Sequence, residues 1–149
     1  MICESSIREH LQKALKQHDE VRVSTLRLLL SKIKNAEITQ QGPIGDSKVL
    51  DIIATEVTQH RESIKAFKQG NRNDLVTQEE AELSILMEYL PEQMSHEEIR
   101  KAAQQVIHKV GAKGIRDKGK VMSQLMPQVK GKADGKEVSE VVSELLNSL

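Results

Sequence analysis

The chain has 149 residues, 38% hydrophobic and 30% charged, which is too apolar for a disordered chain and enough for one domain or two small ones. Its apolar residues are almost all aliphatic, with Phe67 and Tyr89 the only aromatics, so helix is favoured over the aromatic and β-branched runs of a sheet. The formal net charge is zero, Cys3 has no partner for an internal disulfide, no basic-then-apolar leader opens the chain, and no apolar run approaches a membrane span of roughly 18 residues; the expectation is a cytoplasmic protein.

Helix signals follow one another along the chain. Ser6 with Glu9 has capping-box spacing, and Ile7, Leu11, Ala14 and Leu15 give a short amphipathic helix that stops near His18-Asp19. A second helix is expected from about Glu20 to Gln40, on Leu26, Leu29, Leu30, Ile33 and Ala36, and Gly42-Pro43-Ile44-Gly45 ends it. Asp46 or Ser47 can cap a third, whose stripe is Leu50, Ile53, Val57, His60, Ile64 and Phe67 and whose end is Gly70. Thr77 with Glu80 forms a second box, opening a helix through Leu83, Leu86, Met87 and Leu90 up to Pro91. Ser95 with Glu98 opens a fifth helix on Ile99, Ala103, Val106 and Val110, ended by Gly111 and Gly114. A sixth carries Val121, Met122, Leu125 and Met126 and halts at Pro127; Asp134 with Glu137 opens the last, on Val138, Val141, Val142 and Leu145. The reading is an all-α protein. Residues 1–91 form an N-terminal helical part with a long antiparallel helix hairpin, and residues 95–149 form a small C-terminal three-helix domain.

Charge is uneven along this frame. Residues 74–100 hold eight acids and one basic residue, whereas residues 109–136 hold eight basic residues and two acids. The basic segment, Lys109, Lys113, Arg116, Lys118, Lys120, Lys130, Lys132 and Lys136, also contains five of the eight glycines. Glycine lets a phosphate approach the backbone, and Lys and Arg supply the salt-sensitive part of nucleic-acid affinity. No aromatic accompanies the lysines for base stacking, so recognition of folded RNA by shape and backbone is the form of binding left open, beside a plain solvated surface. A second basic face, Arg22, Arg27, Lys32 and Lys34 with Arg61, Lys65 and Lys68, reads as helix solvation.

No catalytic residue can be read. Cys3 lacks a pKa-lowering partner in sequence, and His10, His18, His60, His96 and His108 form no metal-binding pattern, so neither metal nor cofactor is expected. His60 alone falls on an apolar stripe, as a packed histidine or, less simply, a ligand or switch. Glu79, Glu80 and Glu82, and Glu97 and Glu98, read as first-turn acids favoured by the helix dipole. Neither Gly114–Lys120 nor Lys130–Lys136 fits a phosphate loop, since each lacks the G-x-x-x-x-G-K-[ST] order and a preceding strand.

Four stretches carry a resemblance: LRLLLSKIKNAEI (Leu26–Ile38), RESIKAFKQGNRNDL (Arg61–Leu75), EEAELSILMEYLPEQMS (Glu79–Ser95) and DKGKVMSQLMPQVKGKADGKEV (Asp117–Val138). Through them the chain resembles the stand-alone GatB/YqeY-type proteins, the YqeY-like family, over most of residues 20–146. The resemblance implies a helical N-terminal part followed by a small domain similar to the tail of the B subunit of the tRNA-dependent amidotransferase. That enzyme is a carbon–nitrogen ligase with glutamine as amido-nitrogen donor, and its tail helps hold tRNA while the chemistry occurs elsewhere. It implies tRNA or another structured RNA as partner, with Lys118, Lys120, Lys130, Lys132 and Lys136 as contacts and neighbouring Lys113 and Arg116 added from the basic segment. Two alternatives stand beside it: an accessory subunit of glutamine-dependent amidation, with a family-level link to that ligase activity but no autonomous active site, and a protein-interaction adaptor with translation-related partners.

Overall fold

The computed structural model describes residues 4–149, which form α-helices and one 3-10 turn with no strand. Met1–Cys3, and with them the cysteine, lie outside the described residues. Two compact units divide the chain, one up to Leu90 and one over Pro91–Leu149.

The first unit contains α1 (Glu4–Lys16), α2 (Glu20–Gln40), α3 (Asp46–Gln69) and α4 (Asn73–Met87). α1 already includes Ser6, which therefore sits in the helix rather than capping it. Asp19 caps α2, its Oδ1 accepting the Arg22 N–H at 3.2 Å. α2 ends where the Gly-Pro segment requires, but the left-handed residue is Gln41 (φ 61°), and the Gly42 N–H returns to the Glu37 carbonyl at 3.1 Å. Gly45, not Asp46 or Ser47, is the N-cap of α3; Asp46 is the first helical residue, where its charge meets the positive end of the dipole.

α4 begins four residues before the expected Thr77. Asn71 (φ 57°) reverses the chain directly after Gly70, so the helix restarts at Asn73. Thr77 is then interior, and its Oγ1 donates to the Asn73 carbonyl at 3.0 Å. This tight link lays α3 along α4, while α1 lies along α2 and α2 also touches α4 and α3. The long α2–α3 hairpin expected from the sequence is thus not the dominant pairing. The core joins Ile7 of α1, Leu26, Leu29 and Ile33 of α2, Val49, Ile53 and Val57 of α3, and Ile85, Leu86 and Tyr89 at the end of α4. Each such side chain, fully buried, contributes about 1.5–3 kcal/mol. On α3, Val49 and Glu56 are buried, whereas Leu50 and Phe67 of the predicted stripe are half-buried.

The second unit contains α5 (His96–Val110), a 3-10 turn (Ile115–Asp117), α6 (Lys118–Val129) and α7 (Gly135–Asn147). Ser95 caps α5 by accepting the Glu98 N–H at 3.2 Å, and Gly111 ends it at φ 67°, a conformation that only glycine adopts without strain. Asp134 caps α7, accepting the Lys136 N–H at 3.3 Å. Pro127 does not stop α6, which runs on to Val129. In the last turn proline forfeits a single bond, to the Ser123 carbonyl, and both residues are exposed. The core is wholly aliphatic: Ile99, Ala103, Val106 and Ile107 of α5, Val121, Leu125 and Val129 of α6, and Val138, Val141, Val142, Leu145 and Leu146 of α7. Ahead of α5, the Met94 N–H donates to the Lys132 carbonyl at 2.7 Å and Gln93 Nε2 donates to the Gly131 carbonyl at 2.9 Å. The extended Pro91–Ser95 stretch is thereby fastened to the α6–α7 loop.

Candidate functional site

The seven basic residues singled out in the sequence lie in the second unit and fall into two groups. Lys113 and Arg116 lie on the α5–α6 connection, and Lys118 and Lys120 in the first turn of α6. Lys130, Lys132 and Lys136 surround the α6–α7 loop and the start of α7. The stretch of α6 beyond Lys120 separates the groups by about 15 Å. All seven are exposed except Lys118, which is half-buried. Within the first group, Asp117 Oδ2 accepts the Lys113 backbone N–H at 2.9 Å and closes the turn that presents these side chains. Gly131 (φ 75°) is demanded by its backbone, whereas a Cβ at Gly114 or Gly119 would meet nothing within 4 Å. Those two glycines border open space beside the lysines.

The second basic face behaves differently. Arg22 makes a two-pronged pair with Glu88, at 2.6 and 3.1 Å, and approaches Asp19 at 3.4 Å. Hydrogen bonding to Arg22 holds the Glu88 carboxyl below the usual carboxylate range. Lys32 pairs with the buried Glu56, and Lys68 lies 3.7 Å from Glu80. Much of that surface is neutralised within the fold.

A polar cluster between α3 and α4 was not legible as a set. His60, 9% exposed, places Nδ1 2.9 Å from the Glu56 carbonyl and Nε2 3.1 Å from Glu82 Oε2 and 3.6 Å from Glu79 Oε2. Because α4 starts at Asn73, Glu79 and Glu82 are not in its first turn, and the dipole account read from the sequence does not apply to them. A pocket of about 340 Å³ opens beside the cluster, lined by Ser24, Arg27, Leu28, Ser31, His60 and Glu82 among others. Between α1 and the turn that follows α4, His10 Nδ1 lies 2.6 Å from the Tyr89 hydroxyl, and burial pushes the Tyr89 phenol up from its ordinary value.

A family model described as Yqey-like protein matches residues 4–146. The chain belongs to this family. YqeY-like relatives include the protein named altered inheritance of mitochondria protein 41, mitochondrial. The one from Lachancea thermotolerans is 41% identical over 87 residues, covering 58% of this chain and 46% of its own length. The one from Saccharomyces cerevisiae (strain YJM789) is 34% identical over 87 residues, 58% of this chain and 47% of its own. The one from Pyrenophora tritici-repentis is 28% identical over 144 residues, 93% of this chain and 77% of its own. The chain thus spans about half the length of the first two. These names correct the expectation of a cytoplasmic protein: the YqeY-like relatives are named as mitochondrial. Chain composition and the lack of a helix long and apolar enough to cross a membrane, among the described residues, do not select a compartment.

Proposed function

We propose that this YqeY-like protein binds structured RNA, tRNA foremost, through the basic surface of its second unit. The observation that supports this reading is the exposure of Arg116 and Lys113, Lys120, Lys130, Lys132 and Lys136 on a segment with two acids against eight basic residues. Two groups about 15 Å apart suit phosphates on separate parts of a folded RNA better than one bound nucleotide. Gly114 and Gly119 leave the surface open between the side chains, so a sugar–phosphate backbone can approach closely. With no aromatic in the unit, affinity would come from charge and shape, not base stacking. In this reading the link to the tRNA-dependent amidotransferase is one of holding tRNA, with the ligase chemistry left to other proteins.

The test is retention of tRNA at low salt by the parent and by a variant with Lys118, Lys120, Lys130 and Lys132 changed to Glu. The variant loses retention, and single Lys→Ala changes each flatten the dependence of log affinity on log salt by roughly 0.7–0.9. Equal binding by the quadruple variant sinks the proposal. Proteins retained without RNA from the same extract would favour an adaptor.

A further inference from the structure

We infer that His60, Glu79 and Glu82 form a binding site for one divalent first-row transition-metal ion, in the first unit and separate from the basic surface. The imidazole of His60 orients the site. Nδ1 lies 2.9 Å from the Glu56 main-chain carbonyl. A carbonyl only accepts, so Nδ1 carries the hydrogen, and the Nε2 lone pair of the neutral ring points away from it. It points at Glu82 Oε2, 3.1 Å away, and Glu79 Oε2, 3.6 Å away. Three electron-pair donors thus lie close together.

Two species can sit among them. A proton on Nε2 makes one hydrogen bond, to Glu82, and leaves Glu79 beyond hydrogen-bonding distance. A metal ion engages all three. Ligand atoms about 2.0–2.2 Å from a tetrahedral zinc stand roughly 3.3–3.6 Å apart, a spacing close to the two nitrogen–oxygen separations here. All three atoms lie within 4.8 Å of one another.

The scaffold supplies what such a site needs. Glu79 and Glu82, three apart on α4, share one helix face, and α3 presents His60 to that face. The Nδ1 bond to a main-chain carbonyl fixes ring orientation and tautomer, the role outer partners play for metal-bound histidine. His60 is 9% exposed, so its ring is held by packing. One imidazole and two carboxylates suit zinc, manganese or iron in the divalent state. Three protein ligands leave a position for solvent, and the adjoining pocket, with Arg27 and Ser24 on its wall, is where a small anion would reach it.

Titration of the full chain with Zn²⁺, followed by calorimetry and by nitrogen NMR of the histidine rings, tests the site. One equivalent binds, the His60 Nε2 resonance moves, and the Nδ1–H signal persists. The pair Glu79→Gln and Glu82→Gln, which preserves side-chain size, weakens binding at least 100-fold, more than loss of an outer partner, with unchanged helicity. Binding kept by a folded double variant places the zinc elsewhere on the chain and overturns the inference. If the variant does not fold, the parent decides alone: His60 signals unmoved at saturating Zn²⁺, or no binding of Zn²⁺ or Mn²⁺, overturn it equally.

Discussion

The two units bury different things. In the second, every buried side chain is aliphatic, and the charges lie outside. In the first, Glu56 and His60 are buried at 6% and 9% exposure, and Thr25 joins them. A buried polar group must recover its lost hydration from partners, so each in the first unit has one: Lys32 for Glu56, Glu82 for His60, the Val21 carbonyl for Thr25. The difference teaches how each unit treats its polar groups. The second unit fills its interior with aliphatic packing and carries its charge on the surface, whereas the first holds polar and charged groups between its helices.

Three perturbations sharpen or break that contrast. The largest is Leu125→Ala, at a fully buried position of α6, which costs about 2–5 kcal/mol. For a core of this size that is most of the stability available, so amide hydrogen exchange should accelerate throughout α5, α6 and α7. Equal acceleration confined to the turn around position 125 would show that the aliphatic core is not cooperative. Next is Lys32→Ala, which strands Glu56 beneath α2. The loss is about 1–3 kcal/mol in chemical denaturation, and Glu56→Gln added to it restores part of that. If Lys32→Ala alone is neutral, the first unit does not depend on its buried pair.

The smallest effect is that of Glu88→Gln, about 0.5 kcal/mol at neutral pH because the pair with Arg22 is exposed on the Glu88 side. Its pH dependence is diagnostic. Hydrogen bonding to Arg22 lowers the folded carboxyl below its ordinary 4.5, so the pair's stabilisation is present above that value and fades as pH falls through the folded value. Parent and variant melting curves should therefore converge as pH falls through the folded value; a gap that does not narrow in acid excludes the ion pair as its source.

Much of the fold was legible because local rules and tertiary packing agree. α2 runs from Glu20 to Gln40 as its periodicity requires, and Ser95, Gly111 and Asp134 act where their chemistry suits a helix end. Ser6 and Thr77 misled because the same S/T-x-x-E spacing occurs inside helices; only the preceding turn, set by Asn71 for α4, tells the cases apart. That misplaced start also concealed the cluster, since it made Glu79 and Glu82 look like first-turn acids. His60 stood out on its stripe, but its partners are 19 and 22 residues away on another helix, a separation no ligand-spacing motif covers. The basic residues were legible as composition. Their division was legible too, since the expected sixth helix already lay between Lys120 and Lys130; passing Pro127 only lengthens it to Val129.

The contact between His10 and Tyr89 has a spectroscopic consequence. The chain has one tyrosine and no tryptophan, so its near-ultraviolet signal arises almost entirely from a single phenol, 5% exposed where α1 meets the end of α4. An optical melting curve of this protein is therefore a record of one junction in the first unit. The second unit has no tyrosine or tryptophan and is dark to that measurement; it could unfold without moving the trace.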